Sequence, residues 1–183
     1  MRLFTAIDLP ADVKDRLAAL IGQLRPAARL KWSTAGNLHV TTKFIGEWPA
    51  ERMEELLIVL RGVTGHPPIP IAVRGLGWFP NPRAPRVFWA GVEAGAPLAD
   101  LTRSTDQALQ RLGIAREDRP FSPHLTLARI KEPAPLDRLR EAIASLPSEE
   151  FGQFVADRFC LYQSQIGPSG SVYSKLEEFV LTT

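Results

Sequence analysis

The sequence PFSPHLTLARIKE, residues 120–132, shares a short motif with NLHVTTKFIGE, residues 37–47. Each stretch contains one H-x-T triplet, and the paired residues are His39 with Thr41 and His124 with Thr126. The triplets are 85 residues apart and use two of the chain's three histidines. Both surroundings are rich in β-branched and apolar residues, which predicts that each triplet lies on a β-strand.

The period of a β-strand decides which side chains of a triplet act together. Residues two apart on a strand point to the same face of the sheet. Each histidine should therefore project with its own threonine, while Leu125 and Leu127 enter the core on the opposite face. Two such strands, facing each other, would present two imidazoles and two hydroxyls across one cleft.

The order of predicted elements repeats along the chain. Apolar stripes at helical spacing predict helices at 13–24, 53–60, 98–112 and 136–146. Alternating or continuous apolar runs predict strands at 2–8, 37–46, 69–79, 86–93, 124–130, 153–164 and 172–181. A shift of about 85 residues superposes helix on helix and strand on strand, with the triplets in register.

This order predicts an α+β fold with one bilobal catalytic domain over residues 1–183. Two pseudo-symmetric lobes, from halves at roughly 9–93 and 94–183, would surround a central cleft. Short turns between successive strands favour mainly antiparallel sheets packed with helices, rather than a doubly wound parallel sheet.

Composition and charge narrow the class of protein. The chain is 45% hydrophobic and 23% charged, which is ordinary for a globular protein, and its net charge of +2 excludes a strong global field for nucleic acid. The single cysteine, Cys160, excludes an internal disulfide and favours a reducing compartment. No secretory signal or apolar run of membrane-spanning length is evident, so we expect a cytoplasmic monomer with no membrane partner.

Two histidines and two threonines suit in-line attack at phosphorus. Imidazole titrates near neutral pH, so one ring can act as a base while the other, protonated, acts as an acid. Threonine hydroxyls can donate to the non-bridging oxygens, where negative charge develops. The scheme needs no cofactor and no metal ion, and the sequence offers no H-E-x-x-H or comparable metal-binding motif.

These residues resemble a known family. H-x-T twice in a pseudo-symmetric α+β chain is typical of the 2H phosphoesterase superfamily. The stretches RLFTAIDLP, KWSTAGNLHVTTKFIGE, GLGWFPNPRAPRVFWAGV, RPFSPHLTLARIK and LYQSQIGPSGSVYSKLEEF further resemble the LigT-type RNA 2′,3′-cyclic phosphodiesterases. The matching stretches run in order from residue 2 to residue 179, so the resemblance covers nearly the whole chain.

The resemblance implies an activity and a role for each residue of the triplets. The activity is opening of an RNA or nucleoside 2′,3′-cyclic phosphate to the 2′-phosphomonoester. His39 would donate a proton to the leaving oxygen, and His124 would accept one from water. Thr41 and Thr126 would hold the phosphate. The residues alone do not decide which histidine is the acid.

Three further residues are weaker candidates. Arg129 matches an arginine of the family and would bind phosphate, although in a regular strand it would point away from the His124 face. Lys43 has the strand parity of His39 and would share the cleft, unless it is an ordinary surface lysine. Phe44 could stack on a base, with core packing as the alternative.

Two other functions stay open at this point. The same cleft could serve a non-catalytic RNA- or nucleotide-binding module, although binding alone requires no matched acid and base. Members of the LigT-type family that the chain resembles are also associated with reversible joining of RNA halves through a 2′,5′ linkage, which would make ligation the physiological direction. Microscopic reversibility assigns the same residues to both directions, so the sequence does not separate them.

Overall fold

The computed structural model describes all 183 residues, in four α-helices and nine β-strands. The strands are β1 (Arg2–Asp8), β2 (Lys31–Trp32), β3 (His39–Glu47), β4 (Ile69–Phe79), β5 (Val87–Glu93), β6 (His124–Arg129), β7 (Glu150–Ala156), β8 (Arg158–Gly167) and β9 (Gly170–Val180). The helices are α1 (Ala11–Leu24), α2 (Met53–Arg61), α3 (Gly95–Gln110) and α4 (Asp137–Ala144). No helix combines the length and the hydropathy needed to cross a membrane.

The strands form two sheets, each of which contains one H-x-T strand. The His39 sheet has the order β3-β1-β8-β9, and the His124 sheet has the order β2-β6-β5-β4-β7. Every strand pair in both sheets is antiparallel. The predicted α+β class with two antiparallel sheets is therefore confirmed.

The helices form where apolar residues recur at helical spacing. On α1 the predicted stripe is buried throughout, and its members are Val13, Leu17, Leu20, Ile21 and Leu24. Pro26 follows this helix within a short 3₁₀ turn. One continuous core of 34 buried apolar residues joins the helices to both sheets.

The two lobes exchange elements between the halves of the sequence. Helix α3 follows β5 of the His124 sheet but packs on β3, where Asp106 of α3 pairs with Lys43. Helix α1 follows β1 of the His39 sheet but packs on β7, where Val13 meets Gly152. We therefore define the His39 lobe as the His39 sheet with α2 and α3, and the His124 lobe as the His124 sheet with α1 and α4.

Because of this exchange, the predicted halves do not build separate lobes. Strands β4 and β5, from residues 9–93, belong to the His124 sheet, while β8 and β9, from residues 94–183, belong to the His39 sheet. In each sheet the H-x-T strand pairs with the strand that precedes the intervening helix, β3 with β1 and β6 with β5. The repeating unit is therefore a strand, a helix and an H-x-T strand. The first unit begins at β1 and the second at β5, so β5 belongs to the second unit, whereas the predicted halves place it in the first.

The prediction of one strand over 153–164 is wrong. The chain forms β7 in the His124 sheet and β8 in the His39 sheet, with Asp157 between them. Asp157 is held at this crossing because its carbonyl accepts a hydrogen bond from the backbone of Leu181. Apolar residues on both sides of Asp157 and Arg158 suit a strand in either sheet, so the sequence pattern does not reveal the change of sheet.

The backbone of another strand lies very close to Gly91, beside the His124 strand, and a substitution at Gly91 tests this packing. Gly91 of β5 lies opposite His124, and a Cβ there would be 2.3 Å from the backbone oxygen of Arg74. We expect Gly91→Ala to lower the free energy of unfolding by about 1–3 kcal/mol, because backbone has to shift. The matched control is Gly22→Ala on α1, which meets nothing within 4 Å and should stabilise the helix by about 0.5–1 kcal/mol. Equal effects in chemical denaturation would contradict this packing.

Candidate active site

The two H-x-T strands meet where the two sheets adjoin. Strand β3 is the edge of the His39 sheet, and β6 lies one strand from the edge of the His124 sheet. The two strands lie against each other without being hydrogen-bonded partners. His39 and His124 are each the first residue of their strand, and both are half-buried. A site that used both histidines would therefore draw on both lobes.

Each histidine is held at the same ring nitrogen by the same local contact. His39 Nδ1 lies 2.7 Å from the carbonyl oxygen of Asn37, and His124 Nδ1 lies 2.8 Å from that of Ser122. A carbonyl oxygen only accepts, so Nδ1 donates in both cases and holds the ring proton. In the neutral ring Nε2 is then left as the basic atom, free to accept a proton.

Aromatic rings fix the orientation of both imidazoles. Tyr173 meets His39 edge-on at 5.1 Å between centroids, and Phe79 meets His124 edge-on at 5.0 Å. His39 also stacks on Phe4 at 4.8 Å. The His39 ring is thus enclosed by more aromatic surface than the His124 ring.

The threonines lie on the same face as their histidines. In β1, Asp8 pairs with His39 and Ala6 with Thr41, two residues apart on both strands. In β5, Gly91 pairs with His124 and Trp89 with Thr126. Both threonines are half-buried, and the predicted pairing of each threonine with its histidine on one face agrees with this register. The backbone carbonyl of Thr126 is fixed by the Ser33 hydroxyl, at 2.7 Å.

A β-bulge in β3 changes which later residues face the cleft. Ala6 pairs with Thr41 but Thr5 pairs with Lys43, so Thr42 is the extra residue. Beyond the bulge Phe44 pairs with Phe4, which stacks on His39, so Phe44 faces the cleft. It is 62% exposed, which excludes the core-packing alternative for this side chain.

The expectation that Lys43 lines the cleft is wrong, because the bulge turns it to the other face. Its ammonium lies 2.6 Å from Asp106 and donates to the carbonyl of Ala115 at 2.8 Å. The Lys43 side chain is only 4% exposed. Thr42 is also buried, and its hydroxyl bonds to that of Thr5 at 2.7 Å. These residues attach α3 and β1 to the strand and do not share the face of His39.

The His124 strand has a bulge at the equivalent position. Trp89 pairs with Thr126 but Phe88 pairs with Ala128, so Leu127 is the extra residue. Arg129 consequently shares the face of His124, and it is exposed. In a regular strand Arg129 would point away from the His124 face, and the bulge brings it to that face, as binding of phosphate by Arg129 would require. Phe44 and Arg129, each five residues after a histidine, are therefore equivalent positions with different chemistry.

A cavity of about 210 Å³ lies beside His39. Its polar lining includes Asp8, Asn37, Tyr162 and Lys175. Burial would raise the pKa of Asp8, but hydrogen bonds from Lys175 and Tyr162 outweigh it and hold that pKa below its usual range. Asp8 is therefore a carboxylate that faces His39 across the strand pair.

One cluster of potential metal ligands adjoins this cavity. It consists of Asp8, Cys160 and Glu178, whose ligand atoms lie within 4.8 Å of one another. The Lys175 ammonium lies 2.6 Å from Asp8 and 2.8 Å from Glu178, so a cation already balances both carboxylates. Burial raises the pKa of Cys160 to about 12, which keeps it a thiol. The Cys160 side chain is also inaccessible to solvent.

Burial has a direct consequence for the titration of His39. Burial lowers the pKa of His39 below 6.5, against opposing contributions from the Asn37 carbonyl and Asp8 and with a small further lowering from Lys14. The folded state therefore binds fewer protons than the unfolded state just below pH 6.5. We expect this contribution to stability to be complete above pH 6.5 and to be lost as pH falls through the folded pKa. Denaturant titrations should show that His39→Gln flattens this dependence; an unchanged slope would contradict it.

The chain belongs to the 2′-5′ RNA ligase superfamily, whose family model matches residues 13–167. It is 36% identical over 183 residues to the RNA 2′,3′-cyclic phosphodiesterase of Methanothermobacter thermautotrophicus, with 99% of each chain covered. It is 34% identical to that of Archaeoglobus fulgidus, with 98% and 99% covered. The resemblance inferred from the two triplets is thereby confirmed.

Solved structures agree with this family. The protein TT0787 of Thermus thermophilus is 34% identical and has a TM-score of 0.82, with 98% of this chain and 97% of that chain covered. Escherichia coli LigT in its apo form is 27% identical and has a TM-score of 0.80, with 100% and 98% covered. LigT has also been solved in complex with 3′-AMP.

Proposed function

We propose that this protein hydrolyses RNA or nucleoside 2′,3′-cyclic phosphates to 2′-phosphomonoesters, with two histidines as general acid and base. The observation that supports it most is the matched pair of imidazoles on adjoining strands. Both present Nε2 while a backbone carbonyl holds Nδ1. Relatives named RNA 2′,3′-cyclic phosphodiesterase over nearly the full chain support the same activity.

In this mechanism the two proton transfers occur on opposite sides of the phosphorus. Nε2 of His124 accepts a proton from water as the water oxygen forms its bond to phosphorus. The bond from phosphorus to the ribose 3′-oxygen breaks, and Nε2 of His39 gives its proton to that oxygen. Each transfer by a positioned group contributes about 10²- to 10⁴-fold in rate.

The chemistry of the leaving oxygen supports His39 as the acid. The 3′-oxygen stays attached to the ribose when its bond to phosphorus breaks, so the acid has to lie on the nucleoside side. The exposed ring of Phe44 lies in the His39 lobe, on the face of His39. Aromatic rings are the usual platform for an unpaired base. A base on Phe44 would place the ribose 3′-oxygen toward His39.

Burial of His39 opposes the acid role in the free protein, because it lowers the pKa of this ring. Two features counter that effect. The Asp8 carboxylate faces the ring, and the bound substrate adds the negative charge of its phosphodiester. An opposite charge close to an imidazole favours its protonated form. We therefore expect His39 to gain its proton in the substrate complex.

The phosphate would be held by Thr41, Thr126 and Arg129. The two hydroxyls lie on the cleft faces of adjoining strands, so they can donate to different non-bridging oxygens. Hydrogen-bond donors aimed at developing charge are worth several kcal/mol of barrier in comparable sites, roughly 10²-fold in rate or more. Arg129 adds a positive charge on the same face as Thr126.

The direct test is incubation of the protein with adenosine 2′,3′-cyclic phosphate in excess EDTA. Chromatography that separates the 2′- from the 3′-monophosphate should show the 2′-isomer as the product. A 3′-monophosphate product would place the leaving oxygen at the wrong position for this mechanism. Loss of turnover in EDTA would show that a metal ion is required. No turnover under any condition would favour the non-catalytic binding module.

A further inference from the structure

The two lobes differ in how their positive charges are balanced. On the strands and helices of the His39 lobe, five of six cations form salt bridges, and Arg2 is the exception; the paired residues are Lys43, Arg61, Arg103, Arg158 and Lys175. On those of the His124 lobe, Arg74 alone forms salt bridges. Among the cations on these elements, those without a salt bridge therefore lie mainly in the lobe that contributes His124.

Two of these unpaired cations, together with three in the adjoining loops, form an exposed group that we call the basic rim. It consists of Lys31, Arg83, Arg86, Arg129 and Lys131. All five side chains are exposed, and none of them forms a salt bridge. The neighbouring carboxylate of Glu132 forms no salt bridge with any of the five. An exposed row of unbalanced cations is typical of a surface that contacts a nucleic-acid backbone.

Backbone pairing places the basic rim next to the active site. Lys31 of β2 lies directly opposite Arg129, and Arg129 is on the face of His124 and Thr126. Beyond the strand, the backbone of Ile130 donates to the carbonyl of Arg86, and the Arg86 guanidinium lies 3.4 Å from the carbonyl oxygen of Lys131. Arg83 lies in the turn that leads into β5, where Asn81 holds its backbone. The rim thus continues from the far end of the His124 strand.

The proposed mechanism specifies which oxygen atom lies on the His124 side of the phosphorus. His124 acts on the oxygen that enters opposite the ribose 3′-oxygen, and in hydrolysis that oxygen belongs to water. In the reversible reaction at a 2′,5′ linkage, the same position holds the 5′-oxygen of a second RNA segment. As the bond from phosphorus to that 5′-oxygen breaks, His124 protonates it, while the 3′-hydroxyl closes the cyclic phosphate and gives its proton to His39.

We propose that the basic rim binds the backbone phosphates of the RNA segment that carries this 5′-oxygen. The proposal rests on the proposed function, because it depends on His124 acting at the entering oxygen. Arg129 also holds the reacting phosphate, but water needs no further surface, so the other four rim residues are unnecessary for hydrolysis of a nucleoside cyclic phosphate. Cations beyond the reacting phosphate fit a polyanionic segment that extends away from the cleft, with each phosphate contact contributing to salt-dependent affinity.

The test compares the wild type with the variant Arg83→Gln/Arg86→Gln/Lys131→Gln on three substrates. The substrates are adenosine 2′,3′-cyclic phosphate, an oligonucleotide ending in a 2′,3′-cyclic phosphate, and an oligonucleotide with one internal 2′,5′ linkage and several nucleotides on its 5′-oxygen side. We expect kcat/KM for cleavage of the 2′,5′ linkage to fall about ten-fold or more, with its logarithmic salt slope reduced by about two. The other two substrates should keep wild-type kcat/KM.

The matched control is Arg52→Gln/Arg61→Gln/Arg103→Gln. It removes three positive charges from ion-paired side chains that are 42–63% exposed. It has the same net charge as the rim variant and should cleave the 2′,5′ linkage like the wild type. Equal losses on both oligonucleotides would assign the rim to the cyclic-phosphate strand and overturn the proposal. Unimpaired cleavage by the rim variant would also overturn it, as would a wild type that hydrolyses cyclic phosphate but neither cleaves nor forms 2′,5′ linkages. If the wild type did not hydrolyse adenosine 2′,3′-cyclic phosphate at all, that result would instead refute the proposed function.

Discussion

Alanine at either His39 or His124 is expected to lower kcat for cyclic-phosphate hydrolysis by about 10²- to 10⁴-fold. Each substitution removes one proton transfer at an oxygen whose bond to phosphorus forms or breaks. Because the two transfers occur in one displacement, the double variant should lose less than the product of the two single losses. Steady-state kinetics on adenosine 2′,3′-cyclic phosphate measures all three.

The matched control is His66→Ala, which changes the third histidine, in the loop before β4, and should retain wild-type kcat. The Phe4 stack makes His39→Ala a packing change as well. His39→Asn, with thermal unfolding measured alongside, separates packing from chemistry. Wild-type kcat in either folded single variant would exclude that histidine from the mechanism.

A substrate with an activated leaving group separates the acid from the base. A nitrophenolate leaves without protonation, so a ribonucleoside nitrophenyl phosphodiester depends little on a general acid at that oxygen. The cyclic phosphate therefore serves for the main comparison, and the activated diester serves only to assign roles. On a nucleoside 2′-(nitrophenyl phosphate), the 3′-hydroxyl attacks phosphorus with His39 as the base, and nitrophenolate leaves from the position of the 5′-oxygen. Turnover that is slow in His39→Ala but near wild-type in His124→Ala would support the proposed roles. The opposite order would reverse them.

Lys43→Met is expected to lower the free energy of unfolding by about 3 kcal/mol, the second large effect. The substitution leaves the Asp106 carboxylate, which is 14% exposed, without its cation at 2.6 Å. Removal of one partner of a buried ion pair is costly because the other charge stays desolvated. The Lys43 bond to the carbonyl of Ala115 is lost as well. Chemical denaturation monitored by tryptophan fluorescence measures the change.

Two further variants test the cause of that loss. Arg103→Met breaks an exposed pair with Asp100 and should cost less than about 1 kcal/mol. The double variant Lys43→Met/Asp106→Leu removes both buried charges and should recover much of the stability lost in Lys43→Met. A loss in Lys43→Met no greater than that in Arg103→Met would mean that the Lys43 pair is effectively solvated.

The sequence predicts the elements of this fold well where a single period persists. The α1 stripe and the strand at 69–79 are reproduced because a helix or strand imposes its own repeat on buried positions. The exchange between lobes is different. The local sequence of β4 does not show which of the two sheets it joins, because a strand in either sheet requires the same alternation of apolar residues. Periodicity misses the break at Asp157 for the same reason.

The site illustrates the same limit at the scale of one residue. His124 and Thr126 are two apart, so strand parity places them on one face without further information. Lys43 and Phe44 lie beyond a bulge, and one extra residue reverses parity for every side chain after it. The equal spacing of Phe44 and Arg129 from their histidines is present in the sequence as a signal, but only the register shows that both bulges exist.

Residues that sequence reasoning did not identify act on the histidines from other elements. Asn37 and Ser122 use backbone carbonyls, for which any residue type would serve. Tyr173 reaches His39 from β9, more than a hundred residues later in the chain. Asp8 is its cross-strand neighbour in β1. Such contacts depend on strand order, which a single sequence does not specify.

A crystal structure of the protein with adenosine 2′-monophosphate would test the central claim most directly. The measured quantities are the distances from Nε2 of His39 and Nε2 of His124 to the ribose and phosphate oxygens. The mechanism predicts His39 Nε2 within about 3.2 Å of the ribose 3′-oxygen and His124 Nε2 within the same distance of a phosphate oxygen on the opposite side of phosphorus. A phosphate bound away from both rings, or both rings on one oxygen, would contradict a two-histidine displacement.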